Sequence, residues 1–91
     1  MEFEWDADKA TSNLSKHAVS FAEAMTIFAD PFELTIADPV HSKAEMRYVS
    51  VGQSESGRLL VVSYTERDQR IRIVSARSAT RKERSQYESR D

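Results

Sequence analysis

The spacing of apolar residues divides the chain into a helical first third and a strand-rich remainder. After a short alternating segment at residues 3–5, apolar positions recur three and four residues apart over 7–17 and again over 21–28. That spacing places them along one face of a helix. From residue 33 onwards apolar and polar residues mostly alternate, which is typical of strands. The pattern therefore predicts two N-terminal helices followed by a sheet.

Capping signals mark where these two helices begin and end. Asp6 can cap the first helix through its side-chain oxygen, and Ser20 with Glu23 forms a capping box at the start of the second. Pro31 disfavours helical geometry in Asp30, so the second helix is expected to end there. Both helices are short, and each has one apolar face to bury.

Four strands are predicted after the helices, at residues 33–37, 45–52, 58–67 and 70–76. Asp68 and Gln69 leave only a tight turn between the last two strands, which favours an antiparallel meander. Thr80 and Glu83 form a second capping box that opens a polar, loosely held helix ending near Ser89. We therefore predict one α+β domain over residues 1–91, with two N-terminal helices packed on a mostly antiparallel sheet and a C-terminal helix.

A strand register that pairs Arg67 with Arg70 gives each face of the sheet a consistent character. The same register sets Ser63 between Arg47 and Val74. The predicted core face, toward the N-terminal helices, carries Met46, Tyr48, Val62, Tyr64, Ile71 and Ile73. The predicted open face carries Glu45, Arg47, Ser63, Thr65, Arg67, Arg70 and Arg72. Arg77 does not fit the alternation and is expected past the strand end, at the sheet rim near the C-terminal helix.

Charge is distributed unevenly behind a net charge of −2. Residues 1–46 hold nine Asp or Glu and three Lys, whereas residues 47–91 hold ten Lys or Arg and six Asp or Glu. Nine of those ten cations are Arg, whose planar fork can bind a phosphate bidentately. Guanidinium groups on an open sheet face repel one another unless an anion or an acidic partner lies among them. The open face is therefore a candidate phosphate surface, with an ordinary solvated polar face as the alternative.

Cleavage of RNA is the chemistry that this set of residues could support. RNA supplies its own nucleophile, the 2′-OH, so the enzyme needs a base, cations on the phosphate and an acid for the leaving oxygen. The candidate proton carriers are His17, His41 and Glu45, and the candidate phosphate stabilisers are Arg47, Arg67, Arg72 and Arg77.

Each candidate also has a simpler explanation. His17 follows Lys16 at a helix end, where a cation complements the helix dipole. His41 lies in a predicted loop, and Glu45 can pair with a neighbouring arginine. Trp5 could stack on a base, but near a strand start it is assigned to the core.

Composition argues against several other functions. The chain has no Cys, and its two His are isolated, so no metal-ligand spacing is present and no cofactor is predicted. The N-terminus has no apolar signal segment, and no apolar run approaches the roughly 20 residues that span a bilayer. We therefore expect a cytoplasmic protein that does not contact a membrane.

The ordered set of motifs resembles the BrnT family of ribonuclease toxins over about residues 3–88. The residues that carry the resemblance are Phe3-Glu4-Trp5-Asp6, Lys9, Asn13, Lys16-His17, Val19-Ser20-Phe21, Glu23-Ala24, Phe28, Asp30-Pro31, Asp38, His41-Ser42, Glu45, Arg47, Gly52, Gly57-Arg58, Thr65-Glu66-Arg67, the block from Arg72 to Thr80, Glu83-Arg84 and Tyr87-Glu88.

This resemblance implies a RelE-like fold and a ribonuclease that slows translation. It also implies a BrnA-like antitoxin, a ribbon-helix-helix protein through which the toxin would reach operator DNA only indirectly. The catalytic residues it implies are His17, Glu45, Arg47, Arg67, Arg72 and Arg77. We expect further RNA contacts from Lys16, Thr65, Arg70 and Arg81. Two alternatives stay open, a non-catalytic module that binds antitoxin and represses the operon, and a toxin of this fold that inhibits gyrase.

Overall fold

The computed structural model describes residues 1–38, 40 and 45–89, which form three α-helices, one 3₁₀ helix and five strands. The elements are β1 (Glu2–Trp5), α1 (Ala7–His17), α2 (Phe21–Met25), a 3₁₀ helix (Thr26–Ala29), β2 (Leu34–Ala37), β3 (Arg47–Gln53), β4 (Leu59–Arg67), β5 (Arg70–Ser78) and α3 (Arg81–Ser89). The strand order in the sheet is β1-β5-β4-β3-β2, and only the β1–β5 pair is parallel. The predicted α+β architecture is therefore confirmed.

The predicted caps are present, with one difference. Asp6 accepts a hydrogen bond from the Lys9 backbone N–H at 3.0 Å, and Ser20 Oγ accepts one from the Glu23 N–H at 3.0 Å. The Glu23 carboxylate does not close its capping box, because it accepts hydrogen bonds from Arg58 instead. The second box is complete, with Thr80 and Glu83 each accepting from the other's backbone N–H.

The core lies between the sheet and the helices of the first third of the chain. Its buried members include Val19, Phe21, Ala24, Ile27, Leu60, Val62, Tyr64, Ile71, Ile73 and Ala76. Trp5 packs edge-on against Phe21 at 6.0 Å between ring centroids, so its assignment to the core is confirmed. Met46 was predicted in this core but is 49% exposed, because β3 begins only at Arg47. Leu14 is also exposed, at 52%, since α1 turns Asn13 inward instead.

The predicted register is right at the β4–β5 turn and shifted elsewhere. Arg67 pairs with Arg70, and Thr65 pairs with Arg72. The turn itself has positive φ at Asp68 and Gln69, as a tight two-residue hairpin requires. On β3 the prediction was wrong by two residues, since Arg47 opposes Thr65 and not Ser63. A shift by an even number leaves each side chain on its predicted face.

A β-bulge accounts for Arg77. Between Tyr64 and Ser63 the register on β5 moves by one residue, so Ser63 opposes Ser75 and not Val74. The extra residue reverses the alternation beyond it. Arg77 therefore lies within β5, opposite Val61 on the open face, and the prediction that it lies past the strand end was wrong.

Candidate functional site

The open face of the sheet carries a row of three side chains across its central strands. Arg47 on β3, Thr65 on β4 and Arg72 on β5 are direct cross-strand neighbours. Arg67 and Arg70 follow on the same face at the hairpin end. The fold thus brings together five of the predicted site residues, and we call this group the arginine face.

Strand β1 adds two carboxylates to the arginine face that were not predicted there. Its parallel pairing sets Glu2 opposite Arg70 and Glu4 opposite Arg72. Glu4 lies 3.1 Å from Arg72 and 3.5 Å from Arg70, and Glu2 lies 3.1 Å from Arg70. These ion pairs relieve the repulsion that the sequence implied among the guanidinium groups. A phosphate that binds here must compete with the protein's own carboxylates.

Glu45 lies just before β3 and pairs with Arg67. Its Oε1 accepts a hydrogen bond from Arg67 Nη2 at 2.7 Å, and its Oε2 accepts one from Nε at 3.3 Å. These hydrogen bonds, with the nearby charges of Arg67, Arg72 and Arg47, hold the pKa of the Glu45 carboxyl below its usual value. A carboxylate with a lowered pKa is a weak general base near neutrality. This geometry suits Glu45 to orienting Arg67 more than to accepting a proton.

The Thr65 hydroxyl is buried at the centre of the row. Thr65 is 4% exposed, and within the described part of the chain its Oγ1 makes no hydrogen bond. A buried hydroxyl without a partner costs free energy. The Thr65 hydroxyl could therefore form a hydrogen bond with an oxygen of a ligand that binds between Arg47 and Arg72.

Two further predicted arginines do not belong to the arginine face. Arg77 lies toward the other end of β5, and Arg81 is in α3. Arg77 Nη1 and Nη2 donate to the two oxygens of Glu83, each at 2.8 Å. The Arg77 hydrogen bonds lower the pKa of the Glu83 carboxyl to about 2. Arg81 is exposed as the first residue of α3. In this structure Arg77 holds α3 to the sheet.

His17 and Lys16 lie at the exposed C-terminal end of α1, beside β5. They share a cleft of about 210 Å³ with residues of α1 and of the β5 bulge. Its lining residues are Lys9, Ser12, Asn13, Lys16, His17, Val74 and Ser75. Since β1 pairs only with residues 70–73 of β5, this cleft lies where the edge of β5 is free of β1.

Asn13 positions this end of α1, and sequence reasoning gave it no role beyond the family resemblance. Its side chain is buried and donates to the carbonyl oxygens of Val19 at 2.9 Å and Ala76 at 2.8 Å. Its Oδ1 accepts from the Ala76 backbone N–H at 3.0 Å. Asn13 thus takes up the hydrogen bonds of backbone groups at the edge of β5, beyond the residues that pair with β1. The available signal was its position three residues after Ala10 and next to Leu14, which places Asn13 along the apolar face of α1.

Of the three candidate proton carriers, the structure describes His17 and Glu45, and these two lie far apart. The cleft of His17 adjoins Ser75, which opposes Ser63, whereas Glu45 contacts Arg67. Ser63 and Arg67 are four residues apart on β4, which is about 13 Å along a strand. The residues of β5 in the His17 cleft are Val74 and Ser75, which lie between Arg72 and Arg77 along the strand. His41, the third candidate, lies outside the described residues.

A second ionic cluster lies away from the arginine face. Glu23 accepts hydrogen bonds from Arg58 Nε at 3.0 Å, Ser54 Oγ at 2.7 Å and Ser56 Oγ at 2.5 Å. The Arg58 hydrogen bond, helped by the two serines, lowers the pKa of Glu23 to about 2. The cluster joins α2 to the turn between β3 and β4, which indicates a structural role.

The part of the chain that the structure describes contains neither a metal-binding cluster nor a membrane-crossing helix. No group of three or more His, Cys, Asp or Glu side chains within residues 1–38, 40 and 45–89 could hold a metal ion. No helix in that part of the chain is long and apolar enough to cross a membrane.

Comparison with known proteins gives a family model and a solved structure of similar fold. The model of the family described as "Ribonuclease toxin, BrnT, of type II toxin-antitoxin system" matches residues 5–83. A crystal structure of the Brucella abortus ribonuclease toxin BrnT is similar in fold, with a TM-score of 0.65 and 23% identity, covering 89% of this chain and 99% of that one. No curated protein matches the chain. The chain therefore belongs to the BrnT family of type II toxin–antitoxin systems.

Proposed function

We propose that this toxin is a metal-independent endoribonuclease that cleaves cytoplasmic RNA, and that a BrnA-like ribbon-helix-helix antitoxin neutralises it. The observation that carries the proposal is the row Arg47–Thr65–Arg72, with a buried hydroxyl between two guanidinium groups. Such a row can hold a phosphate by charge while the hydroxyl bonds one of its oxygens.

The placement of His17 beside β5 supports a path for the substrate. We assign the RNA backbone to a course along β5, with Arg72 on a phosphate and His17 beside the next ribose. Imidazole can accept the 2′-OH proton and return a proton to the leaving 5′-oxygen, because histidines ionise near neutrality. Arg47 and Arg72 then stabilise the charge that develops on the phosphorane. Glu45 orients Arg67 and does not transfer a proton.

Cleavage of a labelled RNA by the purified chain, with and without a chelator, tests this mechanism. We expect cleavage in both conditions, products with 2′,3′-cyclic phosphate ends, and none from the same oligonucleotide with 2′-O-methyl riboses. His17→Ala should lower the cleavage rate about 100-fold. Arg72→Ala should weaken RNA binding and reduce its salt dependence. The matched control is Arg84→Ala, on the exposed side of α3, which should change neither.

Two results would contradict parts of the proposal. Cleavage that stops in chelator would exclude the metal-independent route. A His17→Ala protein that cuts at the original rate would remove His17 from the mechanism.

The internal ion pairs favour a second candidate, a module that binds antitoxin but does not cut RNA. Glu2, Glu4 and Glu45 already neutralise three of the cations on the arginine face. Expression in bacteria without the antitoxin distinguishes the two. Growth arrest with loss of RNA supports the nuclease, and normal growth with intact RNA supports the binding module.

A further inference from the structure

The cleft between α1 and β5 is lined by polar side chains that have no partner inside the described part of the protein. They are the two lysines Lys9 and Lys16, the imidazole of His17 and the hydroxyls of Ser12 and Ser75. Within residues 1–38, 40 and 45–89, none of these five side chains makes a hydrogen bond or an ion pair. Their hydrogen-bonding capacity is therefore available to a ligand that displaces water from the cleft.

The cations of the cleft differ in this respect from those of the arginine face. Arg67 pairs with Glu45, and both Arg70 and Arg72 pair with Glu4. No Asp or Glu is among the described residues that line the cleft. A nearby carboxylate cancels much of the attraction that a cation exerts on an anion. Each cation of the cleft therefore attracts a phosphate more strongly than a paired guanidinium does.

The backbone positions of the two lysines are fixed relative to β5. Lys9 and Lys16 are seven residues apart, so they lie on the same face of α1, about 10 Å apart along its axis. Asn13 lies between them on that face and bonds to the backbone of Ala76. A site whose backbone is already held in place loses little entropy when a ligand binds.

The lining of the cleft favours a nucleic acid over a protein as the ligand. Val74 is the one apolar residue among the described residues that line it. Protein interfaces centre on aromatic and other large anchors that fill pockets, whereas nucleic-acid interfaces are polar and positively charged. Lysine ammonium groups and serine hydroxyls are among the groups that contact phosphate and sugar oxygens.

We propose that this cleft is a second phosphate subsite of the toxin, in which Lys9 and Lys16 bind a backbone phosphate of single-stranded RNA. The two serine hydroxyls of the cleft bond oxygens of the same nucleotide. Lys16 was predicted to contact RNA, whereas Lys9 was not. The inference rests on the proposed function, which assigns the scissile phosphate to Arg72 and the attacking ribose to His17.

The direction of the RNA follows from this assignment. A 2′-OH attacks the phosphate on the 3′ side of its own ribose, since the product is a 2′,3′-cyclic phosphate. With that phosphate on Arg72, the phosphate on the 5′ side of the same nucleotide lies toward the cleft. Lys9 and Lys16 therefore bind the 5′-phosphate of the nucleotide whose 2′-OH attacks.

Binding of an uncleavable 2′-O-methyl RNA by the full chain tests the subsite. The double variant Lys9→Gln, Lys16→Gln should bind about tenfold more weakly, and its plot of log affinity against log salt concentration should be shallower by about 0.7, the contribution of one phosphate on a single strand. Lys9→Arg, Lys16→Arg should keep both values, because the charge is kept. Lys82→Gln is the matched control, since it removes the same charge from an exposed site on α3, and it should change neither value.

Two further measurements locate the phosphate. Addition of the uncleavable RNA should shift the backbone NMR signals of Lys9, Ser12, Lys16 and Ser75. The original chain should cut a dinucleotide that carries a 5′-phosphate with a lower KM than one that carries a 5′-hydroxyl, at the same kcat, because the added contact is made equally in the ground and transition states. The Lys9→Gln, Lys16→Gln variant should not distinguish the two dinucleotides.

The outcomes separate this inference from the proposed function. Equal affinity and equal salt dependence in the Lys9→Gln, Lys16→Gln variant and the original chain overturn the subsite while leaving the proposed cleavage intact. NMR shifts confined to the arginine face do the same, and a 5′-phosphate that leaves KM unchanged overturns the assigned direction. A double variant that keeps RNA binding but loses binding to the antitoxin assigns the cleft to a protein partner and also overturns the inference. Failure of the original chain to bind RNA at all refutes the proposed function, and this inference with it.

Discussion

Glu4 has the most direct control over the arginine face of any single residue outside it. One carboxylate lies within 3.5 Å of Arg70 and within 3.1 Å of Arg72, and its side chain is only 27% exposed. If RNA binds as proposed, its phosphate must compete with this carboxylate for Arg72. Under that proposal, Glu4 sets how strongly the face attracts RNA.

We predict that Glu4→Gln raises RNA affinity about threefold, because exposed ion pairs of this kind are worth up to about 1 kcal/mol. The dependence of binding on salt concentration should also become steeper, since a released guanidinium can neutralise another phosphate. Fluorescence anisotropy with a labelled RNA at several salt concentrations measures both. Glu88→Gln, which changes a carboxylate that pairs with Arg84 on α3, is the control. An affinity that is unchanged or lower would show that RNA does not compete with Glu4.

For Thr65, the sequence pattern predicted the correct face of the sheet but not the burial of the side chain. Alternation along β4 placed it on the open face, where an exposed RNA contact was predicted. The structure buries it between Arg47 and Arg72, because each neighbouring strand presents an arginine at that level. Local pattern gives the direction of a side chain, but its burial depends on the neighbours across the sheet.

At the scale of elements, helix α1 and strand β5 depend on one side chain. Asn13 accepts from the Ala76 backbone N–H and donates to its carbonyl oxygen, on an edge of β5 that β1 does not reach. The same contact fixes the end of α1 that carries His17. Loss of Asn13 should therefore affect both stability and the proposed cleavage.

We predict that Asn13→Ala lowers the free energy of unfolding by about 3 kcal/mol, because three buried backbone groups lose their partner at about 1–3 kcal/mol each. Urea denaturation followed by circular dichroism measures this. Ser12→Ala, an exposed neighbour on the same helix, should change stability by less than about 0.5 kcal/mol. A loss as small as that in Asn13→Ala would show that water replaces the Asn13 contacts.

The β5 bulge is a second feature at this scale. Without the bulge, Arg77 would point toward the core, where burying a guanidinium without a partner costs free energy. With it, Arg77 reaches Glu83 and holds the start of α3, and Tyr87 near the other end of that helix donates to Asp30. No residue of α3 is buried, and these polar contacts hold the helix against the rest of the fold.

At the scale of the whole molecule, two carboxylates join separate elements of the fold. Glu23 connects α2 to the β3–β4 turn, which is distant in sequence, and Glu83 connects α3 to β5, the strand that precedes it. In both, hydrogen bonds from an arginine lower the pKa from 4.5 to about 2. A depressed carboxyl pKa stabilises the folded state above the unfolded value, and this stabilisation is lost as pH falls.

We predict that the free energy of unfolding is steady above about pH 4.5 and falls steeply from there to about pH 2. Glu23→Gln should lower it by about 2 kcal/mol at pH 7, because a charged hydrogen-bond network is lost. The Glu23→Gln and original curves should converge near pH 2, where Glu23 becomes protonated. Thermal unfolding across this pH range is the measurement, with Glu88→Gln as an exposed control. Curves that stay parallel down to pH 2 would mean that the Glu23 charge does not stabilise the fold.

Much of this protein is determined locally by its sequence. Apolar spacing predicted both N-terminal helices and the strands, Asp6, Ser20 and Thr80 predicted the helix starts, and Asp68 with Gln69 predicted the hairpin. These features depend on contacts within a few residues, so a linear pattern contains them. The faces predicted for β3, β4 and the start of β5 were also correct, because a shift by two residues does not exchange them. Beyond the β5 bulge they are exchanged, because the register there moves by one residue.

Other features were decided only by the tertiary structure. The parallel pairing of β1 with β5 brought Glu2 and Glu4 to the arginines, although they are 68 residues away in sequence. Two further features depend on how far each strand pairs with its neighbour. These are the bulge that redirects Arg77 and the edge of β5 to which Asn13 bonds. The physical reason is that charge balance and edge hydrogen bonding are properties of neighbours across the sheet. The sequence thus determined which side chains could bind a phosphate, and the fold decided which carboxylates compete for them.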